Sequence, residues 1–150
     1  MLTISLNSEK KALEYFNICK IPVIAEDTGL FVKDLDNLPG VFSKRWLDGS
    51  DNDRNLAIIN NLNKIPNSSR AASYKSSFSY YDGIKMITVE GVCNGTIDTK
   101  ISGQNGFAYD SIFIHSSGKK ISEMSLSEKN KISQRNDALK KLKEKFQKEI

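Results

Sequence analysis

Histidine and cysteine are scarce in this chain of 150 residues, which has one His and two Cys. Cys19 and Cys93 stand far apart, with no C-x-x-C and no Cys/His spacing, which excludes a zinc module and a disulfide framework. Both are expected to be reduced, buried thiols. His115 ends the strand-like run Ile112-Phe113-Ile114 and reads as a surface or edge residue. Long apolar runs are also missing: stretches of about five residues, such as Ile21 to Ala25, fall far short of the roughly twenty that cross a bilayer. Residues 1–7 have neither the basic start nor the long apolar region of a secretory signal, so the chain is expected to be cytoplasmic, with no membrane partner.

What is present suits one globular domain over residues 1–150, with 39% hydrophobic and 27% charged residues and no repeat or low-complexity linker. The net charge of +4 could suggest nucleic-acid binding, but residues 129–150 hold eight basic and three acidic side chains, leaving −1 for the rest. Lys140, Lys141, Lys143, Lys145 and Lys148 spread around a helix with few aromatics between them. That is the pattern of a solvated terminal helix, and no nucleic-acid partner is expected.

Glu9 to Ile18 carries Ala12, Leu13 and Phe16 at helical spacing, and Pro22 leads into a strand at Val23. Asn37-Leu38-Pro39-Gly40 reads as a turn. Asp51 to Leu62 reads as a helix capped by Ser50 or Asp51, with Leu56, Ile59 and Leu62 on its inner face. Ala72, Tyr74, Ser76, Phe78 and Tyr80 alternate with polar residues, Asp82-Gly83 turns the chain, and Met86 to Val92 alternates again. This predicts a long antiparallel hairpin in a mixed α/β fold. Ser125 and Glu128 form a capping box that opens the last helical segment.

Three distant segments combine turns with unusual polar content. In Glu26-Asp27-Thr28-Gly29-Leu30, an apolar strand is expected to deliver carboxylates to a tight turn at Gly29. Adjacent strand residues face opposite ways, so one acid at most faces a site, and Asp27 is the candidate. Gly106 to Asp110 offers a hinged loop bearing Phe107, suited either to stacking on a planar ligand or to plugging a hydrophobic gap. Lys129 to Arg135 places Lys129 and Ser133 one helical turn apart with Arg135 beyond, donors suited to phosphate or a purine carbonyl, or else a solvated basic face.

Together these segments, with Pro39-Gly40-Val41-Phe42-Ser43-Lys44-Arg45, occur in the order found in the inosine triphosphate pyrophosphatases, and the chain resembles that family over residues 11–139. The resemblance implies an α/β fold with a central mixed sheet and two lobes flanking a nucleotide cleft, in a homodimer. It implies Mg²⁺-dependent hydrolysis of ITP, dITP or XTP to the monophosphate and pyrophosphate. By position, Asp27 matches a metal-binding, water-activating carboxylate, with Glu26 beside it on the metal. Lys11 matches a phosphate-binding lysine and Thr28 a nucleotide contact. Phe107 matches the residue that stacks on the base, with Ala108, Tyr109 and Asp110 continuing the pocket. Lys129, Ser133, Gln134 and Arg135 match the residues around the purine six-position oxygen. Donors aimed at that oxygen accept ITP and reject ATP, whose amino group leaves them unpaired.

The family also carries an N-terminal strand, a Ser/Thr-Gly-Asn-x-x-Lys turn for the triphosphate and a further metal-binding Glu, in about 40 residues upstream of the matching region. These are expected to be missing here, which leaves a catalytically weakened or silent purine-nucleotide-binding protein as the alternative function. Gln134 stands for the family's histidine, Ala108 for a loop glycine and Ser111 for a proline.

Overall fold

The long strand β1, Val23–Val32, organises the molecule in the computed structural model, which describes residues 2–148. It is preceded by helix α1, Ile4–Cys19, and followed by the two-residue strand β2, Leu38–Pro39, whose peptide bond is cis. Helix α2, Asp51–Asn63, leads to the hairpin of β3, Ala71–Tyr81, and β4, Met86–Ile97. After a loop come β5, Phe113–His115, then helices α3, Leu126–Ile132, and α4, Gln134–Lys148. The sheet order is β2-β1-β3-β4-β5, and every strand pair among the described residues is antiparallel, where a mixed sheet was expected. A tight turn joins β3 to β4 and a short turn joins β1 to β2, and such connections reverse the strand direction. The expected α/β class and long hairpin are both present.

Strand alternation gives the sheet two unlike faces. On one, Leu30, Val32, Ala72, Tyr74 and Cys93 pack against Ile58, Ile59 and Leu62 of α2, while Phe78, Ile87 and Val89 pack against Ala138 and Leu142 of α4. On the other lies α1, joined by hydroxyls: Ser8 Oγ is 3.0 Å from Ser77 Oγ and 2.7 Å from Ser79 Oγ.

Several local expectations change. Helix α1 starts at Ile4, where the Thr3 hydroxyl accepts from the Leu6 N–H, and it buries Ile4, Ser8 and Ala12 while Leu13 is exposed. In α2 the inner face holds Asn55 and Ile58, and Leu56 is exposed. Cys93 is buried as expected, but Cys19, on the last turn of α1, is exposed. Gly29 starts no turn, because β1 runs straight through it. Its smallness serves another purpose: a Cβ there would stand 2.3 Å from the Gly40 carbonyl oxygen. That gap lets the 39–43 turn cross β1, where Ser43 Oγ accepts from the Leu30 N–H.

Candidate functional site

A cavity of about 910 Å³ opens where β1, the start of α2, the 107–110 loop and the α3–α4 junction meet. Its lining includes four cations, Lys44, Arg54, Lys129 and Arg135, against two carboxylates, Asp51 and Asp110, so its charge favours an anionic ligand. Thr28, Phe107, Ala108, Tyr109, Asp110, Lys129, Ser133, Gln134 and Arg135 all line it, though they come from three separate stretches of sequence.

Asp110 is the hub of this cluster and is only 4% exposed. Its Oδ1 accepts from the Tyr74 hydroxyl at 3.1 Å, and its Oδ2 accepts from the Phe107 N–H at 3.0 Å and from Lys129 Nζ at 2.5 Å. The Lys129 ammonium also lies 4.5 Å from the centroid of the Phe107 ring. Phe107 is thus oriented through its backbone by Asp110 and through its ring by a cation–π contact, while 62% of it stays exposed. Burial, reinforced by the Asp110 charge, holds the Tyr74 hydroxyl well above its usual pKa, which keeps it a donor. Burial likewise pushes Tyr109 up to about 12, and its hydroxyl donates to the Ser43 carbonyl, tying this loop to the 39–43 turn.

Helix α2 holds the same loop from beneath. Asp51 Oδ2 accepts from the Ala108 N–H at 3.1 Å, and Asn55 Nδ2 donates to the Ala108 carbonyl and to Ser111 Oγ, each at 3.0 Å. Ser111, which stands for a proline in the resemblance, therefore has an internal partner. Ala108 takes φ +53°, left-handed backbone that a glycine adopts without its Cβ strain.

The α3–α4 junction departs from the single helix expected. Ser133 is extended, at φ −69° and ψ 153°, ending α3, and its Oγ accepts from the Asn136 N–H at the start of α4. Lys129 and Ser133 are therefore not stacked on one helix, yet the break turns both, with Gln134 and Arg135, toward the same cavity. A Cβ at Gly91 of β4 would stand 2.1 Å from the Gln134 carbonyl oxygen, so glycine there lets α4 begin this close to the sheet.

Lys11, Glu26 and Asp27 do not line the cavity. Asp27 points to the α1 face, where Oδ1 accepts from Lys11 Nζ at 2.8 Å and Oδ2 from Asn7 Nδ2 at 3.0 Å. Lys11 Nζ also donates to the Glu26 carbonyl at 2.9 Å. The Glu26 carboxylate points the other way, where Oε1 accepts from Arg135 Nε at 2.7 Å and Ser76 Oγ at 2.6 Å. Mg²⁺ prefers octahedral oxygen donors, often one or two carboxylates plus substrate phosphates. Since these two acids diverge, and no three His, Cys, Asp or Glu side chains converge among the described residues, the pair does not fit as a shared metal site. The sequence marked none of Lys44, Asp51, Arg54, Asn55 and Tyr74 as a site residue. The Ser50–Asp53 capping box, both of its hydrogen bonds present, marks where α2 begins and so was the available signal for the Asp51 end of the cavity.

The chain is similar in sequence and in structure to known proteins. A dITP/XTP pyrophosphatase of Caldanaerobacter subterraneus is 42% identical over 125 residues, covering 81% of this chain and 62% of that protein. One of Lactiplantibacillus plantarum is 36% identical over 149 residues, covering 97% of this chain and 73% of that protein. The chain spans under two thirds of the length of several such relatives, 62–63% of theirs. The solved structure of a HAM1 protein from Coxiella burnetii superposes with a TM-score of 0.91 at 30% identity, covering 97% of this chain and 77% of that one. The family model described as the Ham1 family matches residues 2–145, and the chain belongs to that family.

Proposed function

We propose that the chain binds deaminated purine nucleoside triphosphates, ITP, dITP or XTP, and hydrolyses them to the monophosphate and pyrophosphate. The observation that carries this reading is the convergence of Phe107, Lys129, Gln134 and Arg135 on one cavity. An aromatic ring at the mouth can stack on a base, and Lys129 and Arg135 carry N–H donors. Hypoxanthine and xanthine offer a carbonyl oxygen where adenine offers an amino group, which would leave such donors unpaired. The names of the relatives, dITP/XTP pyrophosphatases, support the same substrate class. Asp27 is assigned to water activation, with Lys11 beside it for phosphate. Mg²⁺, a homodimer and a cytoplasmic location belong to this proposal through the family resemblance. No helix among the described residues is long and apolar enough to cross a membrane.

The test is pyrophosphate release by the purified chain from ITP, dITP, XTP and ATP, with Mg²⁺ or with EDTA. Release from ITP or XTP should exceed release from ATP, need the metal, and fall on the order of 100-fold in Asp27→Asn, as for loss of a general base. Equal rates in wild type and variant would overturn the assignment. A binding protein without turnover is the second reading, favoured by the engagement of both Asp27 carboxylate oxygens with α1. Calorimetric binding of inosine monophosphate without pyrophosphate release would establish it.

A further inference from the structure

We infer that Glu26 is a positioning residue which fixes the direction of the Arg135 guanidinium and, through it, the preference for a purine carbonyl; this rests on the nucleotide reading above. The carboxylate is itself fixed. Its Oε1 accepts from Ser76 Oγ at 2.6 Å, and Ser76 is fully buried in β3, in the middle of the sheet. Arg135 comes from the opposite direction, in the first turn of α4, which Gly91 allows to lie close against β4. The two meet through Arg135 Nε at 2.7 Å.

The choice of nitrogen matters. A guanidinium has five N–H donors in a rigid planar fork, so holding Nε sets the plane while leaving both terminal amino groups for another acceptor. Those amino groups have no protein partner among the described residues, and Arg135 lines the cavity. Its side chain is 45% exposed, so without the tether it would sample many rotamers and lose that freedom on binding. Glu26 thereby acts on the purine through a neighbour and touches neither base nor phosphate. The same contact explains why adjacent acids in β1 serve different ends: Asp27 faces α1 and Glu26 faces the purine side.

Calorimetry in EDTA with inosine monophosphate and adenosine monophosphate tests this on wild type, Glu26→Gln, Arg135→Ala and the double variant. Glutamine keeps an oxygen for Ser76 and removes the charge that holds Arg135. Glu26→Gln should weaken inosine monophosphate roughly 3- to 10-fold, the range for an arginine that must be immobilised on binding. It should leave adenosine monophosphate unchanged and cost nothing further in the Arg135→Ala background. The Arg135 Nε–H resonance, protected from solvent exchange in ligand-free wild type, should lose protection in Glu26→Gln. Wild-type affinity in Glu26→Gln, full additivity in the double variant, or unchanged protection would overturn the role. So would a loss seen only as a higher Mg²⁺ requirement for turnover, which would make Glu26 a metal ligand. Wild type that binds no inosine monophosphate overturns the nucleotide reading, and with it this role, whereas wild-type binding with no effect of Glu26→Gln defeats the role alone.

Discussion

The two faces of the sheet are held by different physics. Against α2 and α4 the contact is a dry aliphatic and aromatic core, with Leu30, Ile58 and Phe113 fully buried. Against α1 it is a hydroxyl network, in which Ser8, Ser77 and Ser79 are equally buried and Thr88 extends the chain to Glu9. Apolar burial tolerates a cavity beside it, because dispersion and water exclusion need no directed partner. A hydroxyl network has to be satisfied bond by bond, which fixes α1 in register with β1 and sets Lys11 and Asn7 on Asp27. The residues proposed for base recognition and the carboxylate proposed for water activation thus lie on opposite faces, joined through adjacent residues of one strand.

Three substitutions probe that division. The largest effect is expected from Leu30→Ala, which opens a hole in the dry core beside the cavity and should cost about 3 kcal/mol in denaturant unfolding. A loss below 1 kcal/mol would mean that this face is not the main source of stability. Ser8→Ala removes a bridge between Ser77 and Ser79 without leaving a large void, and about 1 kcal/mol is expected. Should it match Leu30→Ala, the hydroxyl face would carry as much of the stability as the apolar one. The smallest change runs in the opposite direction: Ala108→Gly relieves left-handed strain in the 106–110 loop and should raise stability by up to about 1 kcal/mol, less the entropy that glycine loses on folding. An unchanged melting temperature would show that the strain is already relaxed.

Asp27, Phe107 and Arg135 were all legible in the sequence as site candidates, because each sits in a motif with its own local chemistry. Gly29 was legible as a residue that matters and misread as a turn former. Its requirement comes from the Gly40 carbonyl, eleven positions away, and no local pattern encodes that approach. The break at Ser133 was hidden for a related reason: the residues around it have helical propensity, and an extended backbone whose hydroxyl caps the Asn136 N–H overrides it.

By itself the sequence determined the α/β class, the long hairpin, the capped start of α2 and the family. Alternation, turn chemistry, caps and ordered motifs are all local or linear signals. Only the tertiary structure decided which candidates share a cavity, and it parted Glu26 from Asp27 more fully than adjacency suggested. Strand alternation separates their side chains, but what each side chain meets depends on the helix covering that face. Here α1 brings Lys11 and Asn7 to Asp27, and α4 brings Arg135 to Glu26.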